Sequence, residues 1–194
     1  MKHVMNSSRI ELDNATLCET ILKHLESKVA SNYDANGFYK IFADKHGQTF
    51  YVLGIYNGLE LNMAAYTLEK SVTGKLKPQE IGYLESYNEN YMNFGYNSSP
   101  TLHISALYTT GERSIGIGSA LIVSTAEFVR KNTDLDYISL TSLSESVGFY
   151  KKLNFEESDK MIDDCPVMFK DVHDLDLNRP SFMYPCAEPE EFSK

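Results

Sequence analysis

The stretch Thr101 to Asn132, TLHISALYTTGERSIGIGSALIVSTAEFVRKN, decides how the rest of the chain is read. Leu102, Ile104 and Ala106 alternate with His103, Ser105 and Leu107, which predicts a strand with one buried face over Leu102 to Tyr108. Thr109 to Gly118 then forms a turn, and a helix follows in which Ile117, Leu121, Ser124 and Phe128 share one face. Gly116 and Gly118 flank its first turn, where the missing Cβ lets a bound group approach the backbone closely. The first N–H groups of a helix lack partners within it and carry the positive end of its dipole. Such a helix start suits an anion, phosphate above all, and Arg113 adds a cation beside it. The spelling separates the alternatives. Gly111 to Gly116 has the gap of a P-loop, but Ile117 stands where its Lys belongs. A dinucleotide fingerprint would begin at Gly116 and Gly118, but Leu121 occupies its third small position.

A third spelling fits: Arg-x-x-Gly-x-Gly after a strand, with Arg113, Gly116 and Gly118. A second motif lies downstream in Ser144 to Phe155, SESVGFYKKLNF, preceded by a strand-like Tyr137 to Leu140. The two together, in this order, resemble the GNAT-type N-acetyltransferases over about residues 48 to 172. The first matches that family's coenzyme A pyrophosphate loop. The second resembles its helix A-x-x-F-Y-x-K-x-G-F, with Phe149, Tyr150, Lys152 and Phe155 in place, Ser146 as the small residue and Asn154 for the usual Gly. Asn tolerates the left-handed conformation after a helix, so the helix end survives the exchange. Ser142 with Glu145 reads as a capping box at the other end.

The resemblance implies an α/β (α+β) fold: a mixed central sheet of about six to seven strands, flanked by helices and splayed at its central strand pair. It implies acetyl-CoA as co-substrate and a primary amine as acceptor, on a small molecule, a peptide or a protein. Backbone amides of Ser114, Ile115, Gly116, Ile117, Gly118 and Ser119, with Arg113, would take the pyrophosphate, and the open backbone of Leu107, Tyr108 and Thr109 would pair with the pantetheine arm. Tyr150 matches the family's general acid; a phenol, with a reference pKa of about 10, can protonate a leaving thiolate, whose thiol has one of about 8.5. The base is less defined. His103 is the titratable group on the strand before the turn, with Glu85, Glu89, Glu145 and His173 as further candidates. Leu143 departs from the family pattern, which often has an Asn there to hold the cofactor arm; Ser142 or Ser144 would have to replace it. An alternative reading is a regulatory module that binds acyl-CoA with little transfer.

Composition sets wider bounds. The chain has 194 residues and a net charge of −9, which disfavours nonspecific binding to nucleic acid. Three unpatterned cysteines, Cys18, Cys165 and Cys186, form neither a disulfide framework nor a zinc spacing, and no metal is expected. The N-terminus lacks a signal-peptide run, no stretch approaches the roughly 20 apolar residues that span a bilayer, and a cytoplasmic protein is the expectation. Residues 1–175 read as one acetyltransferase-like domain and 176–194 as a tail. Within the domain, Arg9 to Leu12 reads as a short strand and Asp13 as the N-cap of a helix that runs to about Ala30, and residues 31–47 as a turn-rich segment that in the resembled family often supplies a second helix. Gln48 to Tyr56 and Leu59 to Leu68 are strands joined at Asn57-Gly58, the strongest short hairpin signal. Residues 70–100 read as an insertion in which Tyr83, Tyr87 and Tyr91 share a helical face, packed on the domain or offered to a substrate or the second copy of a homodimer.

Overall fold

The computed structural model describes residues 36–70, 76–94, 97–110 and 116–174. The expected first strand and helix, Arg113 to Ile115, and the tail lie outside them. Eight strands form one mixed sheet: β1 (Asn36–Ala43), β2 (Thr49–Tyr56), β3 (Glu60–Lys70), β4 (Leu76–Phe94), β5 (Asn97–Thr109), β6 (Tyr137–Thr141), β7 (Glu156–Ile162) and β8 (Cys165–Asp171), in the order β1-β2-β3-β4-β5-β6-β8-β7. Neighbours are antiparallel except β5 and β6, which are parallel and are joined by helix α1 (Ile117–Asn132). A second, short helix, α2 (Val147–Lys151), follows a 3₁₀ turn at Ser144–Ser146.

The sheet is α/β and mixed, as expected, but has more strands than the expected six or seven. One addition is β1, formed where a turn-rich segment was expected. Phe38 and Phe42 alternate there with Tyr39 and Ile41, so both faces of the strand are apolar and both are buried. Tyr83 and Tyr87 lie on strand β4, and not on a helix. A spacing of four satisfies a two-residue period as well as a helical one, and pairing of β4 with both β3 and β5 decides between them.

The Asn57-Gly58 hairpin joins β2 to β3 as expected. Gly58 takes φ +89°, and Asn57 Oδ1 accepts from the amides of Leu59 (3.0 Å) and Glu60 (2.7 Å). Asp163 and Asp164, both left-handed at φ 49° and 62°, make the turn between β7 and β8.

One face of the sheet is covered by α1, whose Ile117, Ala120, Leu121 and Phe128 pack with Val52, Met63, Leu84, Leu102 and Ile104. The other face carries a second cluster of Tyr39, Tyr51, Leu53, Ile55, Ala64 and Tyr66. Gly82 in β4 makes the first packing possible, since a Cβ there would stand 2.9 Å from Ile117 Cγ2. Arg130 and Lys131 in the last turn of α1 complement its dipole.

Candidate active site

The expected alternation along β5 breaks at Ser105. Glu85 pairs with Ala106 and Ser86 with Ile104, so Ser105 is an extra residue, a β-bulge. Beyond it the faces are reassigned. Leu107, not Ala106, continues the core side set by Leu102 and Ile104, and Tyr108 turns to the face away from α1 with Tyr83. Pairing of β5 with β6 ends at the same place, at Ile104 opposite Leu140, while β5 continues to Thr109. The two strands part there, as in the expected splay. Residues 106–109 are paired with β4 on one side and carry no pairing with β6 on the other.

This open edge leads to the start of α1. Gly116 is the N-cap at φ 103° and ψ −4°, a conformation that suits glycine, and among the described residues no side chain caps the helix. The amides of Ile117, Gly118 and Ser119 precede the first intrahelical bond, which runs from Ala120 N–H to Gly116 O (2.9 Å). Gly118 is the meeting point of three elements. A Cβ built on it would lie 3.4 Å from the Phe149 ring of α2 and 3.7 Å from Thr109 Cγ2 at the end of β5. The fold thus gathers Leu107–Thr109, Gly116–Ser119 and the helix bearing Tyr150.

Tyr150 is half-buried between Phe149 (ring centroids 5.0 Å apart) and Phe155 (5.7 Å), against the core cluster on the α1 side. Burial pushes its phenol above the ordinary value. The segment that follows holds this residue in place. Asn154 takes φ 61°, and the amides of Leu153 and Phe155 both donate to Tyr150 O, at 2.9 and 3.1 Å. The expected capping box is absent. The N-cap of the 3₁₀ turn is Leu143, and Ser142 Oγ donates to Leu143 O instead (2.9 Å). That hydroxyl is therefore engaged, while Leu143 is 59% exposed beside the fork.

His103 faces away from α1, one residue before the strands part. Its Nδ1 lies 3.0 Å from Ser139 Oγ on β6 and 3.8 Å from Glu89 Oε2 on β4, and its ring packs on Tyr87 at 5.3 Å. Burial holds its pKa below the ordinary value, partly offset by the Glu89 carboxylate. Tyr150 thus lies on the α1 side of the sheet and His103 on the opposite side. Glu145 is exposed, and exposed His173 lies 3.7 Å from Asp136.

Sequence reasoning missed Glu80. Its carboxylate accepts hydrogen bonds from Tyr108 Oη and from Tyr66 Oη (3.4 Å). The Tyr108 phenol is pushed up to about 12, mainly by that bond, and the Tyr83 phenol beside it to about 12, by burial and then by Glu85, Glu80 and Glu60. Three residues from three strands meet here through sheet register, which leaves no spacing signal in the chain. Among the described residues no group of three His, Cys, Asp or Glu side chains could hold a metal, and no helix is long and apolar enough to cross a membrane.

No family model matches the chain, and no curated protein does. Solved structures do. The KacTA–DNA complex is 16% identical, with 60% of this chain and 70% of that one covered and a TM-score of 0.47. Arabidopsis thaliana NAA60 in complex with acetyl-CoA is 13% identical, covering 59% and 77%, at a TM-score of 0.46. Arabidopsis thaliana Naa50 with the bisubstrate analogue CoA-Ac-MVNAL is 22% identical, covering 56% and 71%, at 0.41.

Proposed function

We propose that the protein is an N-acetyltransferase that moves an acetyl group from acetyl-CoA to a primary amine. The observation that carries this reading is the fork. β5 bulges at Ser105, leaves β6 after Ile104, and runs with a backbone edge not paired to β6 toward the start of α1, whose first amides have no acceptor within the helix. An extended arm ending in a diphosphate fits such a path, with strand-like pairing along Leu107 to Thr109 and amides at Gly116 to Ser119 for the phosphates. Arg113, Ser114 and Ile115 complete the phosphate site in this reading. Bound there, acetyl-CoA supplies an activated acyl carbon at the base of the fork.

The chain's own residues then divide the proton work. His103, kept neutral by burial, takes the proton that the amine loses as its nitrogen bonds to the acyl carbon. Tyr150, kept protonated by burial, gives its proton to the sulfur as the carbon–sulfur bond breaks. The amine enters from the His103 face and the thiol departs on the Tyr150 face, so the acid and the base do not neutralise each other.

The test is release of coenzyme A from acetyl-CoA against a panel of small amines, peptide N-termini and lysine peptides. Tyr150→Phe is expected to lower kcat by about 100-fold, the lower range for a lost general acid. Its KM for acetyl-CoA should change little, since Phe refills the space between Phe149 and Phe155. Binding of coenzyme A without turnover on any amine would favour a regulatory acyl-CoA module. Absence of thermal stabilisation by coenzyme A would overturn both readings.

A further inference from the structure

His103 can serve as a base only through a nitrogen that carries a lone pair, and the surroundings select which one. Two groups lie near Nδ1: Ser139 Oγ, which can donate or accept, and the Glu89 carboxylate, which when ionised can only accept. Glu89 Oε2 is itself buried and has no hydrogen-bond donor among the described residues. The positions follow from register. His103 stands opposite Tyr87 on β4 and Ser139 on β6, and Glu89 is the next residue of β4 on the same face. From β4, Glu89 and Tyr87 approach the imidazole, and Glu85 lies further along the same face; β6 brings the Ser139 hydroxyl and carries Tyr137 two residues before it on that face.

We propose that Glu89 is a positioning residue, which holds His103 as the Nδ1–H tautomer and leaves the Nε2 lone pair for the acceptor amine. A carboxylate 3.8 Å from Nδ1 favours the hydrogen on that nitrogen, and Nδ1–H then donates to Ser139 Oγ. The same charge stabilises the imidazolium that forms when Nε2 takes a proton, and the ion-pair attraction compensates the buried Oε2. This deepens the acetyltransferase reading and rests on it for the purpose of the lone pair, but the tautomer can be measured without turnover.

The experiment is nitrogen-15 NMR of the full chain labelled at histidine, with H103Q assigning the signal among the 5 histidines. The wild type should show Nδ1–H and an unprotonated Nε2 at pH 8. Glu89→Gln should mix or reverse the tautomers and move the His103 titration down by about one pH unit, the lower end for a lost opposite charge at this distance. Ser139→Ala should keep the wild-type tautomer. Glu89→Asp, which keeps the charge one methylene further back, should give an intermediate shift and serves where the Gln variant does not fold. An unchanged tautomer and titration in Glu89→Gln, or a reversal in Ser139→Ala, would overturn the proposal. Dependence on Glu89 together with wild-type acetyl-CoA aminolysis in H103Q would leave the tautomer assignment standing and overturn the catalytic reading instead.

Discussion

At the scale of single residues, the proposed mechanism depends on groups kept from ionising. His103 illustrates the sign. Its folded pKa is below the ordinary 6.5 because burial opposes the imidazolium, and Glu89 recovers part of that loss. The neutral form is therefore favoured by folding. The resulting stability is fully present above the unfolded value of about 6.5 and is lost as pH falls through the folded value. Thermal or urea unfolding followed from pH 8 to 5 should show a decline that H103Q makes shallower. One proton limits the difference in slope to about 1.4 kcal/mol per pH unit. Parallel curves for the two proteins would show that His103 is not held neutral by the fold. With His103 as the proposed base, the acid limb of turnover should set in below the same pH, where protonation removes that base. The Tyr150 phenol, shifted the other way, should contribute no alkaline loss until above about 10.

At the scale of elements, the bulge in β5 couples sequence to site. Without the extra residue, Ile104, Ala106 and Leu107 would follow one another in regular alternation, with Ile104 and Leu107 still facing the core. Deleting Ser105 should therefore leave the core filled and the unfolding midpoint within a few degrees of wild type. It should also remove the local twist that accompanies a bulge and let β5 stay beside β6 for longer. The expected result is a loss of coenzyme A affinity of about tenfold, roughly 1.4 kcal/mol, measured by calorimetry. Unchanged affinity would separate the bulge from the fork. This element also marks where reading the chain stopped. The β2–β3 hairpin was legible because Asn57-Gly58 names its turn, and the left-handed Asn154 because few other residues suit that backbone. The helix start at Gly116 was legible for the same reason. The bulge carried no such mark, since Ser105 is an ordinary strand residue, and periodicity read straight through it placed Leu107 on the wrong face. The Tyr83 and Tyr87 spacing fitted two periods, and only strand partners chose between them. Glu80, Tyr66 and Tyr108 meet across three strands, a contact that belongs to register and not to any local pattern.

At the scale of the whole molecule, the start of α1 is useful only if the helix is fixed across the sheet. Its apolar face supplies most of that hold, but an ion pair sets its far side. Lys40 of β1, the edge strand, donates to Glu127 of α1, and the two side chains are only 10% and 11% exposed. The pair links the outer edge of the sheet to the middle of the helix whose front end faces the fork. Losing one member of a buried pair weakens the compensation of the other charge, at up to about 3 to 5 kcal/mol, whereas replacing both by apolar groups of similar size is often neutral. Lys40→Met should accordingly lower the unfolding midpoint by roughly 10 °C in a domain of this size. Lys40→Met combined with Glu127→Leu should recover most of that loss. The Phe38–Phe128 stack, with ring centroids 4.6 Å apart, remains in both variants to keep β1 against α1. If the pair acts through register alone, the double variant should bind coenzyme A as wild type does well below its midpoint. A double variant that is as stable as wild type but binds weakly would show that the charge pair, and not apolar packing, aims the front of α1 at the fork.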